Sequence, residues 1–181
     1  AIIDDDDAAD AGASGAVLKF RRISREEAKP YENCVPLLDL KAAAGGFSPT
    51  QSVDEADHDW AELKGRHKPS DSLFVAQVVG ESMNRRIPNG AWCLWRLHPA
   101  GTRQGKAVLA QHRDIQDPEH GGTYTVKVYE SEKESDGDGS WKHTRIALKP
   151  DSDDATYEPI VLENLEDGEL TIIAELVEVL G

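Results

Sequence analysis

The chain is short of cysteine, of basic charge and of long apolar runs, and each shortage removes a class of function. Its two cysteines, Cys34 and Cys93, lie far apart and form no C-x-x-C pair. A disulfide framework is therefore not expected, and a reducing, cytoplasmic setting fits. No apolar stretch approaches the roughly 20 residues that cross a bilayer, and no segment has the layout of a signal peptide, so no membrane association is expected. The six histidines, His58, His67, His98, His112, His120 and His143, show no H-E-x-x-H or similar ligand spacing. Neither a metal nor another cofactor is expected. Lys and Arg number 20 against 34 Asp and Glu, a net charge of −14. Such a surface repels phosphate, which argues against direct nucleic-acid binding by this segment. The same charge also serves solubility.

What is present is 181 residues, 39% of them hydrophobic, enough for one domain with a core and a tail. The chain opens on Ala1 and not on Met, the expected mark of a fragment or a processed form. Residues 1–15, AIIDDDDAADAGASG, are acidic and small, a linker composition with too little apolar bulk to offset the entropy of ordering. A short strand is expected over Ala16–Phe20, followed by the polar SREEAKP. Residues 1–29 read as an acidic linker and N-terminal extension, and 30–181 as the domain. Cys34–Leu40 is a short apolar segment that runs into Lys41-Ala42-Ala43-Ala44-Gly45-Gly46-Phe47, which reads as a loop. Ser52 begins an S-x-x-E capping box with Glu55, which predicts a helix within 52–68 carrying Trp60 and Leu63 on one face and ending at Pro69.

From Leu73 onward the pattern changes to short β-branched and aromatic runs: Leu73–Val79, Trp92–Leu97, Lys106–Gln111, Tyr124–Glu130, Thr144–Leu148, Ile160–Leu162 and Leu170–Val179. Turn signals separate them, among them Pro88-Asn89-Gly90, Gly121-Gly122 and Asp136-Gly137-Asp138-Gly139. Two strands flanking ESEKESDGDGS predict a long exposed hairpin. The expected fold is mainly β, compact and mostly antiparallel, with that hairpin and at most one or two short helices.

Two places in this pattern carry chemistry. Gly80-Glu81-Ser82-Met83 follows a hydrophobic strand. A Gly there permits a sharp turn that presents the hydroxyl and frees nearby amides, which can stabilise an oxyanion. Alone this is a weak signal, because serines after strands commonly just cap turns. Lys127 stands mid-strand in Thr125-Val126-Lys127-Val128-Tyr129. Alternation puts it on one face with Thr125 and Tyr129, opposite Val126 and Val128. Alone it reads as an ordinary solvent-facing lysine. Together the two residues form a nucleophile and a base. A serine needs a base to take its proton, and a lysine buried among apolar groups can serve once neutral.

These segments resemble a known family. VVGESMNRRIPNGAWCLW resembles the nucleophile segment of LexA/UmuD-type Ser–Lys peptidases. YTVKVY is similar to the lysine strand of that family, and IALKPDSDDATYEPI to its Leu-x-Pro-x-Asn…Tyr-x-Pro-Ile segment, all in the family's order. The resemblance covers residues 33–180. It implies a LexA-like β-fold, Ser82 as nucleophile, Lys127 as general base, and self-cleavage at a small-residue bond on a movable upstream loop. Residues 41–48 supply that loop, with Ala44-Gly45 as the expected bond and Gly45-Gly46 as the second choice. The resemblance also implies a homodimer, a RecA-type activator in a DNA-damage (SOS) response, and an N-terminal effector region released by cleavage. The chain departs from the family at Gly90-Ala91, where Gly-Asp is usual, and at Asp151-Ser152, where Glu-Asn is usual. The stretch Arg113–Gly122 reads as an insertion. The residues around Trp60 could shield or gate the site. Cleavage in trans, as in the related signal peptidases, and a noncatalytic interaction or dimerisation module of a larger nucleic-acid-acting protein are the competing readings.

Overall fold

The structure is a computed structural model that describes residues 18–44, 59–120, 122–135, 141–163, 165 and 169–181. It is mainly β, as expected. In chain order the elements are β1 (Phe20–Ile23), β2 (Val35–Leu38), α1 (Leu40–Ala44), β3 (Asp59–Leu63), β4 (Leu73–Val78), β5 (Ala91–Leu97), β6 (Ala107–Gln111), β7 (Tyr124–Ser135), β8 (Trp141–Lys149), β9 (Ile160–Glu163) and β10 (Thr171–Val179). All ten strands form one sheet in the order β1-β3-β2-β4-β5-β10-β6-β7-β8-β9. Every named pairing is antiparallel except β2 with β4.

The central strands are buried on both faces, which explains why LFVAQV reads as a nearly continuous apolar run. Phe74, Ala76 and Val78 of β4 pack with Trp95 of β5, Leu109 of β6 and Val126 of β7. Leu73 and Val75 point the other way, against Phe20, Val35 and Leu94. A third cluster, with Val108, Ala110, Ile115, Tyr129 and Leu148, fills the other half of the sheet. Burying a side chain of Leu or Phe size contributes about 1.5–3 kcal/mol, so these clusters are what fix the sheet's register.

The long hairpin is present. β7 and β8 pair from Val128–Lys149 out to Ser135–Trp141, and the tip, 136–140, lies outside the described residues. The first strand sits slightly later than expected, at Phe20–Ile23, where it pairs with β3.

Two expectations are corrected. Residues 59–63, expected within a helix, form β3, paired with β1 on one side and β2 on the other. In a strand Trp60 and Leu63 point to opposite faces. Trp60 packs with Ile23 and Cys34, and Leu63 with the cluster of Phe20 and Val35. The spacing satisfied both a helix face and an alternating strand, and sheet pairing decided between them. The capping box at Ser52 lies outside the described residues. The start of the expected loop 41–48 is also different. Leu40–Ala44 is a short helix whose N-terminus is capped by Asp39, which accepts from the Ala42 amide at 2.6 Å. Ala43 and Ala44 are buried.

Candidate active site

Ser82 is presented by a turn that leaves the end of β4. Gly80 adopts φ +110°, a conformation that strains any residue with a Cβ. Its amide is held by Asn89 Oδ1 at 2.7 Å. The chain then folds tightly, with the amides of Arg86 and Ile87 both donating to the Met83 carbonyl. Met83 and Ile87 are buried in the cluster of Phe74 and Trp95, so apolar packing anchors the turn from beneath. The segment after β8 holds it from the side. The Asp151 amide donates to the Ser82 carbonyl at 2.9 Å, and the Arg85 amide donates to the Asp151 carbonyl at 3.0 Å. Asn84 and Asp153 bond each other twice. Asp151, one of the departures from the family pattern, also accepts from Arg86 Nε at 3.2 Å.

Lys127 comes from β7, opposite Val108 of β6. Val126 and Val128 join one apolar cluster and Tyr129 another, so the expected alternation holds. Lys127 Nζ donates to Ser82 Oγ at 3.1 Å, to Thr125 Oγ1 at 2.8 Å and to Asp117 Oδ2 at 3.2 Å. These are three acceptors, the full donor capacity of an ammonium. Ser82 and Lys127 are each only 4% exposed, so bulk water does not compete for the contact. Thr125, fully buried, gives its hydroxyl proton to Asp117 and keeps a lone pair for Lys127.

Two acidic residues complete the group. Burial alone would raise the Asp117 carboxyl. The Thr125 hydrogen bond, the charges of Lys127 and His120 and the Glu119 amide outweigh it and hold the group below its usual range. Glu119 behaves likewise. Burial raises it, but the hydroxyls of Ser82 and Tyr157 and the Glu81 amide bring it down on balance. The Glu81 amide and the Tyr157 hydroxyl both reach Glu119 Oε2 at 2.8 Å. That bond first, then burial, pushes the Tyr157 phenol up to about 12. The imidazole of His120 lies 3.9 Å from Asp117. Burial, its largest influence, keeps it below its ordinary value despite that carboxylate.

These shifts fix the sign of an acid response. A His whose folded value is lowered stabilises fully above its unfolded value of 6.5. That contribution is lost as pH falls from there toward the folded value, because only the unfolded chain takes up the proton. Lowered carboxylates stabilise above their ordinary 3.8 and 4.5 and lose that contribution as pH falls through the folded values. Urea unfolding followed from pH 8 to pH 3 is therefore expected to show flat stability above 7, a first decline below 6.5 from His120, and a steeper one below 4.5. His120→Gln is expected to remove the first decline and leave the second. A first decline unchanged in that variant would rule His120 out as its source.

The structure brings Ser82 and Lys127 together and places Gly80, Glu81 and Met83 in the turn around them. Ala44, at the end of α1, shares an apolar cluster with Met83 and Tyr124, while Gly45 lies outside the described residues. Trp60, considered as a gate, packs with Ile23, Cys34, Ala28 and the ring of Tyr31, none of which belongs to this group. Thr125, Asp117, Glu119, His120 and Tyr157 were not singled out as site residues. Tyr157 stood inside a family-like motif, and Asp117 and Glu119 inside a segment notable only for its extra length. Among the described residues no cluster of His, Cys, Asp and Glu is suited to a metal, and no helix is long and apolar enough to cross a membrane.

The family model described as Peptidase S24-like matches residues 36–177, from β2 through most of β10. The chain belongs to the Peptidase S24-like family. A comparison with curated proteins finds no match. The S24-like match spans the serine turn, the lysine strand and the segment 148–160 that laces onto the turn, the three regions that meet at this site.

Proposed function

We propose that this S24-like domain is a self-cleaving serine endopeptidase in which Ser82 is the nucleophile and Lys127 the general base. The observation that carries the reading is the buried 3.1 Å contact between Lys127 Nζ and Ser82 Oγ. With Lys127 as a neutral amine the contact reverses, and the hydroxyl donates to Nζ. Ser82 Oγ then attacks the Ala44 carbonyl carbon, its proton passes to Nζ, and the Ala44–Gly45 bond breaks with that proton delivered to the Gly45 nitrogen. Water attacks the resulting ester, Lys127 takes its proton, and Ser82 leaves with a hydrogen restored. The amides of the Gly80–Met83 turn are suited to the tetrahedral oxyanion.

Ala44 enters this reading with a condition. It lies in α1, and a scissile bond must be extended to enter a cleft, so the last turn of that helix opens before attack. The helix is five residues long, short enough for its opening to be inexpensive. The homodimer and the RecA-type activator belong to the same reading.

Intact mass followed over hours at pH 7 and pH 10 tests it. Alkaline solution favours neutral amines and should relieve the need for an activator. The wild-type chain is expected to split between Ala44 and Gly45, faster at pH 10, while Ser82→Ala and Lys127→Ala remain whole. Cleavage that persists in Ser82→Ala would sink the mechanism. A wild-type chain that stays whole at both pH values would favour the noncatalytic interaction module.

A further inference from the structure

The segment between β6 and β7 is built inward. His112 and Ile115 are buried, and the Asp114 amide bonds His112 Nδ1 at 2.9 Å. Asp117 receives the Glu119 amide at 2.9 Å and pairs with Gly122 across a β-bridge. This scaffold carries Glu119 over the nucleophile turn, where its carboxylate takes the Glu81 amide and the Tyr157 hydroxyl on one oxygen. The approach is so close that a Cβ on Gly80 would lie 2.5 Å from the Glu119 carboxyl carbon. Two separate segments, one before β7 and one after β8, thus hold one carboxylate at the nucleophile.

That position conflicts with catalysis in two ways. The Glu81 amide, next to the nucleophile and placed to receive an oxyanion, is already engaged. A fixed negative charge beside the reacting carbon opposes the negative charge that develops there, most strongly in a site shielded from water. A carboxylate set against a serine and its turn amide also has the shape of the acid that amide hydrolysis leaves behind.

We propose that Glu119 is a built-in inhibitor of the Ser–Lys site, occupying as a product-like carboxylate the place that the scissile carbonyl must enter. Tyr157 is its tether. Cleavage then requires Glu119 to be displaced, and the length of Arg113–Gly122 is explained by the need to deliver it. This inference rests on the Ser82–Lys127 reading, and its test separates the two.

The test is the rate at which a fluorophosphonate labels Ser82, read by intact mass. The reagent forms an Oγ–P bond, releases fluoride, and needs the serine proton removed and the phosphoryl oxygen received by the turn. Glu119→Ala is expected to label about 100- to 1,000-fold faster than wild type, the range of a restored oxyanion donor. Glu119→Gln should fall between them. Tyr157→Phe, which removes one hydroxyl and should leave folding intact, should be several-fold faster. Adding Lys127→Ala to each should abolish labelling. If Glu119→Ala and Tyr157→Phe label no faster than wild type while Lys127→Ala still silences all, the inhibitor is refuted and the dyad stands. If no variant labels, including Glu119→Ala, both proposals fall.

Discussion

Lys127→Met is expected to lower the reactivity of Ser82 toward a fluorophosphonate by about 10²–10⁴-fold, the usual worth of a positioned general base, and to destabilise the fold by about 3–5 kcal/mol. The second effect comes from Asp117. Its carboxylate is buried, and its ion-pair partner at 3.2 Å is Lys127. Methionine fills the space of the lysine stem but leaves that carboxylate with only His120, 3.9 Å away, as a cationic neighbour. The double variant Lys127→Met/Asp117→Asn removes the orphaned charge, keeps an oxygen to accept from Thr125, and should recover most of the stability and none of the reactivity. Urea melts and labelling rates on the four proteins of this cycle read the two effects separately. A single variant as stable as wild type would mean that the Lys127–Asp117 pair does not hold the site together.

The second large effect is expected from Met83→Ala, which touches no polar group of the site. Met83 is 2% exposed and packs in the cluster of Phe74, Trp95 and Val126. Truncating a buried side chain of this size costs about 2–5 kcal/mol, depending on how far the site collapses. Its backbone carbonyl accepts the two amides that close the nucleophile turn. Slack at this position should therefore move Ser82 relative to Lys127 and slow labelling as well as lower stability. Met83→Leu, of similar volume, should restore both. Loss of stability with an unchanged labelling rate would show that the hydrogen bonds to residues 151 and 153 suffice to position the serine.

The sequence was legible where the physics is local. Strand alternation around Lys127 placed Val126 and Val128 in one core and Lys127 beside Thr125, as the hydrogen bonds show. The strands after Leu73 lie where β-branched and aromatic runs put them. Legibility failed where two local patterns coincide or where none exists. Asp59–Leu63 satisfies helical and strand spacing equally, and only the neighbours β1 and β2 decide. The helix Leu40–Ala44 was hidden because Asp39, its cap, sits within an apolar run, and the glycines after it suggest a loop. Asp117 and Glu119 belong to a segment with no period at all. Their arrival at Ser82 depends on the bridge between Asp117 and Gly122 and on Tyr157, 38 residues from Glu119 in sequence, and no pattern read along one strand carries that information.

The position of β10 has a consequence for how the site comes into being. In the sheet, β10 lies between β5 and β6, so it stands between the half that carries Ser82 and the half that carries Lys127. The other nine strands divide into β1 to β5 on one side and β6 to β9 on the other, and β10 bonds both. Sheet hydrogen bonding between the half with Ser82 and the half with Lys127 is therefore complete only when Thr171–Val179 lies between them. Pairing of strands so far apart in sequence is slow to form. A chain cut before Thr171 would carry both residues and lack the strand that ties their two halves by backbone hydrogen bonds.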